Sequence, residues 1–325
     1  RYGPDSGSQN GCPQKERSNN MNKCYEEFKS QVETDIKAYI EGKYPEAEVT
    51  FEKMLRLNEK IDCIKIRIKN SGPVIFVNEL YDLYCHLQDY ALFLTDVYEI
   101  IENRMNANRK YSKMANSIKT DFNINKVGIC LINREKNEEL LKTLPHRTFL
   151  DLAIVYKYFI GDEESLFVTN EICKIHSINE AQLYEVGMKN SRFFYDLRFM
   201  RMYDNIRKGF IENNIPLESF EYMFGKSENP KLSEWILYSQ NEYYGAVGLL
   251  YDDILERLSE IFHGGFYIVP ANVYECILCE ASKDPQLLID TIFTVNRKDS
   301  SASDFLSDSL YFYSSETKKV EIVNK

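Results

Sequence analysis

His146, Arg147 and Asp151 bring an imidazole, a guanidinium and a carboxylate into one short stretch, Pro145-His146-Arg147-Thr148-Phe149-Leu150-Asp151. Together such groups can bind an anion, or pair a general base with an acid that orients it. Glu275 and Asn296 are further candidates that could join them. The spacing argues against convergence. In an extended segment His146 and Thr148 share one face, while Arg147 and Asp151 share the other. The structural alternative is stronger: Pro145-His146-Arg147 fixes a loop-to-strand junction, and Asp151 pairs across a sheet, because ion pairs and capping histidines outnumber catalytic ones.

Other chemistry-bearing patterns are thinner. Cys276-Ile277-Leu278-Cys279 has C-x-x-C spacing, but in a strand positions i and i+3 point to opposite faces, so the thiols diverge. Cys173 and His176 have the same parity problem, and His86 beside Cys85 cannot share one site from a helix. Gly245-Ala246-Val247-Gly248 lacks the spacing of a phosphate-binding loop and fits close helix packing better. No G-x-S-x-G or H-E-x-x-H occurs. The expectation is no metal site and no cofactor, with catalysis disfavoured but open.

The bulk chemistry narrows the class. The 325 residues are 44% hydrophobic and 28% charged, an ordinary globular balance. The net charge of −10 argues against a nucleic-acid binder, which needs a dominant cationic face. Charge is uneven: basic residues dominate from Glu102 to Arg147 and acidic ones from Glu212 to Asp290. Solvated or mutually attracting halves account for this, and a basic partner for the acidic half is the sharper reading. The 23 tyrosines fit a tyrosine-rich core rim, or else a contact surface. Eight irregularly spaced cysteines, a polar first stretch and no long apolar run predict a cytoplasmic protein with reduced thiols and no membrane segment.

The elements that must position these residues mix helices and strands without a β-α-β-α rhythm. The expected fold class is therefore α+β, with mixed, mostly antiparallel sheets and packed helices. Residues 1–20 read as a disordered leader, 21–105 as an N-terminal helix and sheet unit, 106–126 as a basic connector, and 127–325 as a C-terminal α+β unit. Cys24, Phe28, Val32 and Ile36 recur at helical spacing, and Ile64, Ile66 and Ile68 alternate as in a half-buried strand. Helices are expected near 79–87 and 89–104. Strands are expected at 127–132, 149–160, 166–178, 232–239, 266–269 and 273–279. Asn179 with Gln182 predicts a capping box, with Ile178 and Leu183 as its staple. Val247, Leu250, Tyr251, Ile254, Leu258 and Ile261 predict one helix stopped by Gly264-Gly265. Asp284-Pro285 opens another, and 309–313 with 320–323 read as a hairpin.

Several stretches in combination resemble a known family: Leu131–Leu141, Pro145-His146-Arg147, Phe149–Ala153, Gly245-Ala246, Tyr267-Ile268-Val269-Pro270, Val295-Asn296, and Leu306-Ser307-Asp308 with Tyr311 and Tyr313. They are similar to domain-of-unknown-function family 5688, uncharacterised proteins chiefly from gut Firmicutes, over about Met21 to Val323. The resemblance implies a Ser-Ile-His-Glu tetrapeptide where this chain reads Asn272-Val273-Tyr274-Glu275, and a Ser/Thr-Asn pair where it reads Ser239-Gln240. A tyrosine in place of a histidine favours binding over catalysis in this member. The family implies no mechanism, substrate or cofactor.

The functional expectation is a protein-interaction or regulatory module without catalysis, with a protein partner of unknown identity. The alternative is a hydrolase or anion-binding enzyme using the His146/Arg147/Asp151 cluster with Glu275 and Asn296. A nucleic-acid role for the basic 104–147 stretch ranks last.

Overall fold

The computed structural model describes residues 14–68, 72–161, 165–298 and 303–323. The chain divides into two compact units, one of residues 1–54 and 60–115, the other of residues 55–59 and 116–325.

In the first unit, α1 (Gln14–Lys43) is followed by β1 (Glu48–Arg56), β2 (Glu59–Arg67), β3 (Val74–Phe76), α2 (Val77–Leu87) and α3 (Tyr90–Thr120). The strands lie in the order β1-β2-β3. Phe28, Val32, Ile36 and Ile40 recur every fourth residue, so one stripe of α1 faces inward. That stripe meets Ile64 and Ile66 of β2 and Phe93, Val97 and Ile101 of α3. Residues 14–20 of the expected leader are helical, and residues 1–13 lie outside the described residues. The expected basic connector is helical as far as Thr120. Residues 106–120 contain no glycine or proline and several strong helix formers, among them Arg109, Lys110, Lys113 and Met114, so polarity alone does not interrupt the helix.

The second unit opens with a 3-10 turn (Ile124–Lys126), then β4 (Val127–Asn133), α4 (Glu138–Leu141), β5 (Arg147–Phe149), β6 (Leu152–Phe159), β7 (Ser165–Phe167), α5 (Asn170–His176) and α6 (Glu180–Tyr195). It continues through β8 (Leu197–Arg201), α7 (Met202–Glu212), α8 (Leu217–Phe224), β9 (Gly225–Lys226), β10 (Asn229–Pro230), β11 (Trp235–Ser239), a 3-10 helix (Gly245–Leu250) and α9 (Asp252–Phe262). It closes with β12 (Phe266–Val269), β13 (Glu275–Glu280), α10 (Pro285–Lys298), β14 (Tyr311–Ser314) and β15 (Lys319–Ile322). The larger sheet runs β15-β14-β12-β13-β11-β8, antiparallel throughout. In the smaller sheet β6 pairs antiparallel with β4 on one side and with β5 and β7 on the other. One apolar core joins both sheets, with Ile129, Tyr156, Leu183, Leu237, Leu258, Ile268 and Tyr311 among its members. Antiparallel sheets with packed helices make the protein α+β.

Every residue of β4 is buried although it is an edge strand. An open edge would leave buried backbone groups unpaired, and α6 supplies the partners. Ser191 Oγ accepts from Ile129 N at 2.7 Å, Tyr195 Oη donates to Ile129 O at 2.7 Å, and Asn190 Nδ2 donates to Val127 O at 2.9 Å. Gly128 permits this approach, because a Cβ there would lie 2.6 Å from Tyr195 Oη. The N-terminus of α6 is held by the expected capping box, with Asn179 and Gln182 bonding each other's backbone N–H.

Four local readings are corrected. The strand expected at 149–160 is broken at Leu150-Asp151, which turns β5 back onto β6; Leu150 takes the left-handed conformation at φ 53°, rare for leucine, so no glycine marks the turn. The strand expected at 166–178 is β7 followed by α5, whose first turn Thr169 caps by accepting from Ile172 N. The helix expected from Val247 begins only at Asp252; Gly245–Leu250 is a tight 3-10 helix pressed on β11, where a Cβ on Gly248 would lie 2.7 Å from Leu237. His263, not a glycine, takes the left-handed position after α9.

Candidate functional site

The β5–β6 hairpin presents the three residues singled out above, and each meets different partners. Arg147 lies at the start of β5. Its Nε and Nη2 donate to the two carboxylate oxygens of Glu180 on α6 at 3.2 and 3.0 Å, and its guanidinium lies 3.8 Å from the ring centre of Tyr184. Tyr156 on β6 donates its hydroxyl to the same Glu180 carboxylate. The bond to Glu180 holds the Arg147 guanidinium above its ordinary range. Burial, and then the carboxylate, raise the Tyr156 phenol. Arg147 is thus matched in charge and stacked, which is how a planar guanidinium is fixed in place.

Asp151 lies on the other side of the turn. Its Oδ2 accepts from Ser307 Oγ at 2.6 Å and Ser309 Oγ at 3.0 Å, and its Oδ1 accepts from Tyr311 Oη at 2.5 Å. Burial and the adjacent carboxylate raise the Tyr311 phenol. Asn296 reaches the same neighbourhood, donating to Ser307 O at 3.1 Å and Asp308 Oδ1 at 2.7 Å. Asp151 and Asn296 thus both bond Ser307, one at its hydroxyl and the other at its carbonyl. His146 is exposed, with Nδ1 3.0 Å from Leu144 O. Glu275 sits at the start of β13, where its backbone N–H donates to Asn272 Oδ1 at 3.1 Å and burial raises its carboxyl. His146, Arg147 and Asp151 share no hydrogen-bond partner among the described residues.

Cys276 and Cys279, both buried, stand at opposite-parity positions of β13; Cys276 belongs to the main core. Burial raises both thiols, that of Cys279 to about 12. Among the described residues no group of three or more His, Cys, Asp or Glu side chains could hold a metal ion, and no helix is long and apolar enough to cross a membrane.

Two features escaped the sequence reading. Phe193, on α6, is 84% exposed and stands between two clefts. One cleft is lined by Met188, Arg192 and Tyr251, the other by Phe159, Ile160, Phe194 and Tyr243. An adjacent pair of phenylalanines, Phe193-Phe194, on a helix whose core stripe is Leu183, Gly187, Ser191 and Tyr195 was the available signal. The second is Lys157, a lysine in the middle of an otherwise apolar strand, which burial shifts below the ordinary range of an amine.

All of these residues lie in the second unit of this α+β protein. The chain belongs to the family of unknown function DUF5688, which it matches over residues 25–315. No curated protein and no solved structure matches the chain.

Proposed function

We propose that this chain is a cytoplasmic protein-interaction or regulatory module that works without catalysis, and that a protein partner docks on the surface around Phe193. The observation that carries this reading is Phe193 itself, 84% exposed with a cleft of about 740 Å3 on one side and a second cleft on the other. Leaving a phenylalanine in water forgoes roughly 1.5–3 kcal/mol of burial. A single such residue is common, but here the neighbouring walls, Met188, Ile160, Phe194, Tyr243 and Tyr251, extend the apolar character. Arg192, Lys189, Glu185 and Asp196 provide a mixed charged rim, the arrangement of an aromatic anchor inside a polar border. The separate partners of His146, Arg147 and Asp151 support binding over the alternative of a hydrolase or anion-binding enzyme, which needs those groups in one pocket.

The test is a capture experiment with the full chain and its Phe193→Asp variant, each shown to be folded by circular dichroism, in lysate of the source cells. A protein retained stoichiometrically by the unaltered chain and lost with the variant is the expected result. Equal retention by both, or none by either, overturns the reading.

A further inference from the structure

Lys157 projects from β6 on the face that carries Cys130 and Val155, opposite to the face of Tyr156 and Tyr158. Gly128 of β4 and Phe167 of β7 are its cross-strand neighbours. The Nζ atom lies 3.7 Å from the centre of the Phe167 ring and 5.8 Å from that of Tyr244. Among the described residues Nζ has neither a carboxylate partner nor a hydrogen-bond acceptor, although other part-buried lysines have both: Lys29 is paired with Asp62 at 2.7 Å and Lys283 with Glu234 at 3.1 Å.

The setting decides the state of the amine. An ammonium taken out of water loses several kcal/mol of hydration, and ring faces return only about 0.5–2 kcal/mol of it. The titratable groups around Nζ do not make up the rest. The Cys130 thiol on β4 is pushed up to about 12 by burial, and the Tyr244 phenol, just before the 3-10 helix, is also raised by burial, so both are neutral near pH 7. Tyr274 stacks parallel to Tyr244 at 6.4 Å and donates to Asp304, whose carboxylate does not bond Nζ. Desolvation without a counter-charge favours the uncharged, nucleophilic amine. Lys157, Phe167 and Tyr244 are each only partly buried, so this group of side chains keeps an edge to solvent.

We propose that Lys157 is a reactive amine site that takes a flat aromatic or unsaturated aldehyde as a reversible imine, held between the rings of Phe167 and Tyr244. The Nζ lone pair forms a bond to the carbonyl carbon. The carbonyl oxygen takes up the two amine protons and leaves as water, and addition of water reverses the step. The aromatic walls select a planar carbonyl compound by stacking. This activity is independent of the docking surface at Phe193.

The experiment treats the full chain with salicylaldehyde at pH 7, reduces the imines with borohydride, and measures labelling at every lysine by peptide mass mapping. Exposed Lys174 and Lys319 serve as internal controls. Burial lowers the Lys157 amine below its ordinary range and so raises its neutral fraction at pH 7, so Lys157 is expected to label faster than either control. Cinnamaldehyde should label Lys157 in preference to acetaldehyde, as stacking requires. In Lys157→Arg the fast label disappears and the control lysines are unchanged. Labelling of Lys157 no faster than Lys174 and Lys319 in the unaltered chain overturns the proposal, and that comparison does not depend on any variant folding.

Discussion

Tyr311 Oη stands 2.5 Å from Asp151 Oδ1, so a tyrosine on β14, next to the edge of the large sheet, is bonded to the turn that joins two strands of the small one. Ser307 and Ser309 occupy the other oxygen of the same carboxylate. A carboxylate accepting three hydroxyl bonds is an acceptor that an amide cannot replace, because one end of an amide is a donor.

Asp151→Asn is therefore expected to destabilise the protein by about 2–3 kcal/mol, the range for breaking charge-assisted bonds and leaving hydroxyls unpaired. Tyr311→Phe removes one of the three bonds and is expected to cost about 1–2 kcal/mol. Urea midpoints at neutral pH measure both. A double-mutant cycle should give a coupling above about 0.5 kcal/mol, as contacting residues do. Additive effects would mean that the bond contributes nothing in solution.

Gly128→Ala tests how the edge of β4 is closed. The added methyl would lie 2.6 Å from Oη of the fully buried Tyr195 and 2.8 Å from the ring of the partly buried Phe159. Overpacking of this kind costs about 1–3 kcal/mol. It should also speed amide exchange at Ile129, whose N–H is bonded to Ser191 Oγ. Unchanged exchange together with unchanged stability would show that α6 does not seal that edge.

What the sequence disclosed follows from the range of each interaction. The capping box of α6 links Asn179 and Gln182, three positions apart, and the hairpin of β14 and β15 links neighbouring segments; both are local and legible. The α+β class follows from the same short-range periodicities. Asp151 bonds Ser307 from 156 residues away, and nothing near Asp151 specifies that partner. The Leu150 turn has no glycine, so its hydrophobic neighbours read as one continuous strand. Proximity in the chain groups Arg147 with His146 and Asp151, while Glu180, the residue it pairs with, comes from α6. Lys157 stands out as the one charge in an apolar strand, but its neighbours Phe167 and Tyr244 come from other segments.

Thiol reactivity should divide the cysteines by burial. Cys85 is exposed, whereas Cys63, Cys130, Cys276 and Cys279 are buried with their thiols raised by desolvation. Since the thiolate is the nucleophile, iodoacetamide under native conditions should, among the cysteines whose burial is described, modify Cys85 first and reach Cys276 and Cys279 only on unfolding. Prior treatment with a chelator should leave that order unchanged. Early modification of Cys276 or Cys279, or its appearance only after chelation, would point to an open or metal-linked pair and contradict the strand geometry.

The tyrosines set the alkaline limit of stability. Burial raises the phenols of Tyr156, Tyr195, Tyr244, Tyr251 and Tyr311 above their ordinary value. In the unfolded chain a tyrosine ionises near about pH 10. Above that pH the unfolded state has lost protons that the folded state still holds, so stability falls as pH rises, and the contribution is fully present only below about 10. Phenolate absorbance in an alkaline titration should therefore show a gradual early rise and then a steep cooperative step. That step should coincide with loss of the far-ultraviolet circular dichroism signal, because these five hydroxyls ionise when the fold opens. Substituting Tyr156 or Tyr251 by Phe should reduce the height of the step by one phenolate. A smooth titration of every tyrosine near pH 10 with the dichroism intact would contradict their burial.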